Sequence, residues 1–125
     1  MLIAVYGSLK RGFWNYDRFL KDAKFLGEST VKGVMTMPMG YPYLFKGADI
    51  KKSNNELDHT VEIYDVADSI GETIGMMERG SGYYEVSVPT EHGEATTYYA
   101  RHELYNKDHQ MVEKYDQETY NNYRS

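Results

Sequence analysis

The stretch LIAVYGSLKRG, residues 2–12, decides the fold that this sequence predicts. Its first four residues form an unbroken apolar run, which is typical of a buried strand. The run soon reaches Gly7, where the chain is predicted to turn sharply and to leave backbone N–H groups pointing into open space. Such a turn can hold an anion or a carbonyl oxygen, but it can equally be a plain connection from a strand to a helix.

The composition limits the class of protein. A chain of 125 residues is long enough for one domain with its own core. The sequence has no cysteine, which excludes disulfides and thiolate metal sites. A formal charge of -5, with scattered Lys and Arg, argues against a nucleic-acid surface. No segment resembles a signal peptide or a membrane span, so we expect a cytoplasmic protein without nucleic-acid or membrane partners.

Short helices and strands are predicted to alternate along the first half of the chain. A short helix follows Asn15, which is a plausible N-cap. Two short or bent strands are predicted over residues 24–39, and an aromatic strand over 43–45. Residues 47–58 are polar and without periodicity, which indicates a loop. Residues 59–66 alternate in polarity and predict a half-exposed or barrel strand.

The second half predicts a helix and a hairpin. Ser69 to Glu72 has the form of a capping box, so a helix should begin there and end near Gly80. A hairpin is predicted from a strand that ends at Pro89 and a partner over 95–100. We expect residues 1–100 to form the domain and residues 101–125 a tail with a weakly packed helix over 109–115, packed on that domain or frayed from it.

One acidic residue lies where the predicted helix should present a core residue. The buried stripe is marked by four apolar residues: Val66, Ile70, Ile74 and Met77. The next position on this stripe is Glu78. It can turn outward or pair with Arg79 or Arg101, as surface ion pairs commonly do. Alternatively it lies in a pocket, where burial and the negative end of its helix would raise its pKa and make it a general acid and base near neutral pH.

Other candidate sites have weaker support. The four histidines lack the spacing of metal ligands and are better explained as surface or strand residues. Ser8 lacks the G-x-S-x-G frame of a nucleophilic serine, and the glycines around it form no phosphate-binding motif. Thirteen tyrosines suit a small core or a polar small-molecule pocket equally well.

Several of these motifs together resemble the γ-glutamylcyclotransferase-like family, and most closely its small γ-glutamylamine cyclotransferase and AIG2-like branch. The segments that carry the resemblance are residues 5–12 with Asn15, residues 40–42, residues 61–66, and Glu78 with Gly80 and Tyr84. The resemblance runs from Leu2 to about Tyr99. It implies an α+β fold, namely a small, mainly antiparallel β-barrel with a few flanking helices and one cavity at its mouth.

The same resemblance implies an enzyme that releases 5-oxoproline and a free amine or amino acid from a γ-glutamyl substrate, with neither a metal nor an organic cofactor. Glu78 would be the catalytic acid and base. Six further residues would bind the substrate: Tyr6, Gly7, Ser8, Leu9, Tyr41 and Tyr84. The first four would act through the backbone amides of their turn, which would hold the glutamyl carboxylate or polarise the carbonyl.

The chain also departs from the family pattern at three places. It has Ile74-Gly75 where members commonly carry Leu-Asp, Val86 where they carry an arginine, and His59-Thr60 where a Gly-Glu pair opens the central strand. These departures leave open an alternative function, a module that binds a small molecule or a partner in the same pocket without turnover. A third alternative is an interaction protein that assembles through residues 101–125.

Overall fold

The structure is a computed structural model that describes residues 1–38 and 40–124. Its seven strands are β1 (Leu2–Val5), β2 (Lys24–Thr36), β3 (Tyr43–Phe45), β4 (Leu57–Asp65), β5 (Tyr83–Thr90), β6 (Gly93–Ala100) and β7 (Met111–Val112). Its α-helices are α1 (Trp14–Phe19), α2 (Asp68–Gly80) and α3 (Gln117–Arg124). Short 3-10 turns cover Gly47–Ile50, Ser53–Asn55 and His102–Leu104. No helix among the described residues has the length and apolar character needed to cross a membrane.

The strands form one mixed sheet in the order β3-β2-β4-β1-β6-β5, with β7 paired to β2. The pairing of β1 with β6 is parallel and the others are antiparallel, which confirms the predicted α+β class. Among the described strands no ladder joins β3 to β5, so the sheet is not a closed barrel. Side chains bridge the two edges instead: the Tyr83 hydroxyl donates a hydrogen bond of 2.7 Å to the carbonyl oxygen of Pro42.

Strand β1 lies in the middle of this sheet, between β4 and β6. Its residues Ile3, Ala4 and Val5 are buried, since both faces of the central strand are covered. The continuous apolar run of the sequence therefore did predict a buried strand. Because both neighbours hold β1 by hydrogen bonds, the turn that follows it begins from a fixed position.

The prediction of two short or bent strands over 24–39 is wrong in the number of strands, because β2 is one strand of 13 residues. A β-bulge between Phe25 and Gly27 bends it, and Gly27 has a φ of +143° that favours glycine. Gly33 permits close packing, since a Cβ there would lie 2.6 Å from Leu44 Cδ1. The glycines thus mark a bulge and a close approach rather than strand ends. Met39, the last residue of that predicted pair, lies outside the described residues.

Both predicted helix caps are wrong. The N-cap of α1 is Phe13, and the Asn15 side chain instead donates a hydrogen bond of 2.7 Å to Ser8 Oγ. Helix α2 begins at Asp68 after Ala67, whose backbone is extended, so the predicted capping box from Ser69 does not cap it. The predicted end near Gly80 is confirmed.

The buried face of α2 differs in part from the predicted stripe. Ile74 is buried, but Ile70 is exposed, and Gly71 and Gly75 occupy buried positions. At Gly75 a Cβ would lie 3.0 Å from Glu85 Oε1 on β5, so the glycine lets the helix approach the sheet closely. The stripe therefore consists of small as well as apolar residues, and this approach brings the last turn of α2 against β5 and β6.

The hairpin and the loop before β4 are more regular than predicted. Strand β5 continues through Pro89, which pairs with Glu94. Proline is tolerated there because β5 is an edge strand. The loop from Gly47 contains two 3-10 turns, and the Gly47 amide donates a hydrogen bond of 2.9 Å to Glu56 Oε2.

The predicted helix over 109–115 is also wrong. Residues 111 and 112 form β7, which pairs with β2, and the C-terminal helix begins only at Gln117. Tyr115 is buried, its ring stacks on Phe13 at 4.8 Å, and its hydroxyl donates to the Gly40 carbonyl oxygen at 3.2 Å. Residues 111–115 therefore pack against the sheet and the α1 region. Ser125 lies outside the described residues.

Candidate active site

A cavity of about 300 Å³ opens beside the turn that follows β1. Its wall combines that turn, residues 6–9, with the last turn of α2 and with side chains from both edges of the sheet. Outside the turn, the lining residues that matter for its chemistry are Trp14, Asn15, Tyr41, Pro42, Met77, Glu78, Ser81, Tyr83 and Tyr98. The opening motif and the acidic residue on the helical stripe therefore line the same cavity.

The turn that lines this cavity has backbone donors without a partner among the described protein groups. It is closed by a hydrogen bond of 3.0 Å from the Lys10 amide to the Gly7 carbonyl oxygen, and the Arg11 amide donates to Glu62 Oε1 at 2.9 Å. Within the described part of the chain, the amides of residues 7–9 donate to no protein acceptor. Three neighbouring N–H groups are thus available to an oxygen of a ligand, as the sequence predicts for this turn.

A buried carboxylate on β4 fixes the turn from inside the protein. Glu62 is only 5% exposed, and it accepts hydrogen bonds from the Arg11 amide, from Arg11 Nε at 3.3 Å and from the Tyr64 hydroxyl at 2.9 Å. These donors compensate the cost of burying its charge. The sequence reasoning gave Glu62 no role; the available signal was an acidic residue between the apolar Val61 and Ile63.

Glu78 lies in the cavity wall at the last turn of α2, and its side chain is half-buried. Burial raises the pKa of Glu78 to about 7, because removal from water disfavours the carboxylate. In the described residues neither Arg79 nor Arg101 pairs with it, since Arg79 pairs with Glu85. A carboxyl group with this pKa is divided between its two protonation states near neutral pH, which suits a group that both accepts and donates a proton.

Three tyrosines surround Glu78 and remain neutral. The Tyr6 hydroxyl donates to the Tyr98 carbonyl oxygen, and the Tyr83 hydroxyl donates to the Pro42 carbonyl oxygen. Burial raises the pKa of all three phenols, that of Tyr98 to about 12, and the nearby charge of Glu78 adds to this in each case. Their hydrogen bonds fix the cavity wall without adding a second ionised group.

Glu78 alone sets the charge of the described cavity wall. Glu78 is the only Asp or Glu among the described lining residues, and these include no Lys or Arg. An ammonium group of a ligand would be attracted to the Glu78 carboxylate. A ligand carboxylate would have to rely on the N–H groups of the turn and on uncharged side chains.

The structure brings together most of the predicted site residues, but not Tyr84. Tyr6, Gly7, Ser8, Leu9, Tyr41 and Glu78 line the cavity. Tyr84 does not, since its hydroxyl donates to Asp49 Oδ2 and its ring lies 6.4 Å from that of Tyr99. Alternate residues of a strand face opposite sides of the sheet, and on β5 it is Tyr83 that faces the cavity.

The sequence reasoning missed several other lining residues, notably Trp14, Pro42, Ser81, Tyr83 and Tyr98. They come from four separate parts of the chain that only the sheet order brings together. For Trp14 the sequence did offer an indication of a site, since it is the single tryptophan and lies in a polar helical segment.

Comparisons with known proteins identify the family of this chain. A family described as "Gamma-glutamyl cyclotransferase, AIG2-like" matches residues 3–124. A Methanocaldococcus jannaschii protein named "Putative gamma-glutamylcyclotransferase" is 33% identical over 84 residues, which are 66% of this chain and 64% of that protein, just under two thirds of its length. A Pyrococcus horikoshii protein with the same description is 38% identical over 96 residues, covering 74% of this chain and 72% of that protein.

Solved structures share the fold. The crystal structure of an uncharacterized Pyrococcus horikoshii protein superposes with a TM-score of 0.73 at 29% identity, over 99% of this chain and 97% of that one. An AIG2-like protein from Mus musculus gives a TM-score of 0.70 over 92% and 87% of the two chains. Its identity is 21%, so this likeness concerns the fold alone. The family resemblance that the sequence motifs indicated is confirmed.

Proposed function

We propose that this chain, which belongs to the gamma-glutamyl cyclotransferase, AIG2-like family, releases 5-oxoproline and a free amine or amino acid from a γ-glutamyl substrate. The observation that carries the proposal is the shared cavity, which is lined both by the half-buried Glu78 and by residues 7–9, whose amides donate to no acceptor in the described part of the chain. Glu78 would transfer protons, and the amides would hold an oxygen atom of the substrate. An intramolecular acyl transfer needs both functions.

In this reaction the α-amine of the γ-glutamyl group attacks its own γ-carbonyl carbon. The amine is mostly protonated at neutral pH, so the Glu78 carboxylate first accepts a proton from the ammonium. The new C–N bond closes the five-membered ring, and Glu78 returns its proton to the departing nitrogen as the old C–N bond breaks. The attacking nitrogen loses two protons in all; Glu78 passes them one after the other to the released amine, which leaves as an ammonium. The reaction is therefore balanced without a co-reactant.

Binding must curl the substrate so that its amine reaches its own carbonyl. The ammonium is attracted to Glu78, and the three amides of the turn hold the α-carboxylate, for which the described wall offers no cation. The neutral Tyr6 and Tyr83 close the site around the ring that forms, with Tyr41 beside them. Such positioning of reacting groups can lower a barrier by up to roughly 7–11 kcal/mol.

The direct test incubates the purified protein with a panel of γ-glutamyl amines and measures 5-oxoproline. We expect wild-type turnover and a loss of at least about 100-fold in Glu78→Gln, since general acid–base catalysis contributes this much. Glu72→Gln is the matched control, because Glu72 lies on the same helix, is exposed and does not line the cavity. Absence of 5-oxoproline from every substrate would overturn the proposal.

The pH dependence provides a second test. Because Glu78 must be ionised to accept the first proton, kcat/KM should rise as the pH passes about 7, the pKa of Glu78. If 5-oxoproline instead raises the melting temperature while no substrate is ever converted, the protein is the binding module that the departures from the family pattern leave open.

A further inference from the structure

Trp14 occupies an unusual position at the candidate site. It is the only tryptophan of the chain, its side chain is 51% exposed, and it lines the catalytic cavity. It also lines a second groove beside α3, together with Phe13 and Tyr120. A large aromatic ring is thus shared between the cavity and the surface next to it, where a substrate would project out of the site.

The ring of Trp14 is held by its neighbours rather than loose in solvent. It lies 5.4 Å from the ring of Tyr120 and 6.1 Å from that of Phe13. Phe13 in turn stacks on the buried Tyr115. The Gln117 side chain donates a hydrogen bond to the Gly12 carbonyl oxygen, which ties α3 to the start of α1. An aromatic group fixed in this way binds a ligand at a low cost in conformational entropy.

Differences in exposure along the cavity wall orient the substrate. Tyr6, Tyr83 and Tyr98 are buried, whereas Trp14 is exposed. The ring of Trp14 therefore forms the rim of the cavity. With the glutamyl group held at the amides and Glu78, the leaving amine would extend toward this aromatic rim.

We propose that Trp14 is a specificity-determining residue that packs against the leaving amine and favours amines with an aromatic or bulky apolar group. This inference rests on the proposed function, because it assigns the leaving-group side of that site. The wall among the described residues has no Lys or Arg to receive a carboxylate on the leaving group. Aromatic pairs, by contrast, add attraction beyond the apolar area they bury.

The kinetic test compares γ-glutamylbenzylamide with γ-glutamylmethylamide, which differ only in the leaving group. We expect kcat/KM to be about tenfold higher for the benzylamide, mainly through a lower KM. Trp14→Ala should reduce this preference to about twofold or less, and Trp14→Phe should keep most of it. Two neighbouring methionines add a matched comparison. Met77 lines the cavity, so Met77→Ala tests a second wall residue. Met76 is 68% exposed and does not line the cavity, so Met76→Ala is the control and should keep the wild-type preference.

A binding test separates this inference from the enzymatic proposal. In Glu78→Gln, both amides are titrated against the fluorescence of Trp14, which reports directly on the rim because the chain has no other tryptophan. Tighter binding of the benzylamide without turnover by the wild type would support the specificity role and overturn the cyclotransferase. Turnover with equal kcat/KM for both amides, or an equal loss for both in Trp14→Ala, would overturn the specificity role and leave the cyclotransferase standing.

Discussion

Replacing Glu78 by glutamine should stabilise the protein at alkaline pH while it removes activity. The folded protein binds the Glu78 proton up to a pKa of about 7, against an ordinary value of 4.5. Stability is therefore lost as the pH rises from about 4.5 to about 7. One pKa unit corresponds to about 1.4 kcal/mol, so the full cost of ionising Glu78 is about 3 kcal/mol. Contact of the half-buried carboxyl with water reduces this to about 1–3 kcal/mol.

Glutamine has nearly the same size and stays neutral, so the variant avoids this cost. Urea unfolding between pH 4.5 and 8.5 should show Glu78→Gln about 1–3 kcal/mol more stable than the wild type at pH 8.5 and nearly equal to it at pH 4.5. Glu72→Gln, on the exposed side of the same helix, should follow the wild type throughout. A stability difference between Glu78→Gln and the wild type that is the same at both ends of the range would refute the reasoning.

Three further changes test the turn. Gly7→Val should abolish the rise in melting temperature caused by 5-oxoproline, because a Cβ at Gly7 already lies 3.2 Å from Pro42 Cγ and the added methyl groups would displace the turn. Ser8→Ala loses one side-chain hydrogen bond of 2.7 Å and should cost about 1 kcal/mol in urea unfolding with kcat/KM nearly kept; a severe loss of activity would show that the hydroxyl itself acts. Glu62→Ala leaves the Arg11 amide and the Tyr64 hydroxyl without their acceptor and should cost about 2–4 kcal/mol, with lower activity; an unchanged urea midpoint would contradict its role as an anchor.

The features that the sequence predicted are those that depend on local patterns. The apolar run of β1 and the glycine after it gave a buried strand and a turn, since both follow from neighbouring residues. Glu78 was found by helical spacing, although Ile70 on the same stripe is exposed. The prediction of the α1 cap was wrong because a side chain that could cap a helix can bind another partner. The Asn15 side chain donates its hydrogen bond to Ser8 Oγ in the neighbouring turn.

The remaining site residues depend on which strands become neighbours. Tyr83 and Tyr84 are adjacent in sequence and equally suited to a pocket, and only the register of β5 with β6 decides which one faces the cavity. Tyr98 and Trp14 reach the same cavity from β6 and α1, which no local pattern relates. The two-residue strand β7 is too short to leave a periodic signal, so the packing of residues 111–115 could not be predicted from the sequence.

The hydrogen bond from Tyr83 to the Pro42 carbonyl oxygen joins the two outer edges of an open sheet, and the cavity lies at that junction. Edge strands are where amide hydrogens usually exchange fastest with solvent. A molecule in the cavity would contact Pro42, next to β3, and Tyr83 on β5. Its binding should therefore slow hydrogen exchange at β3 and β5 together, although these strands lie at opposite ends of the strand order. Exchange at the two edges should therefore respond to ligand concentration with a single midpoint.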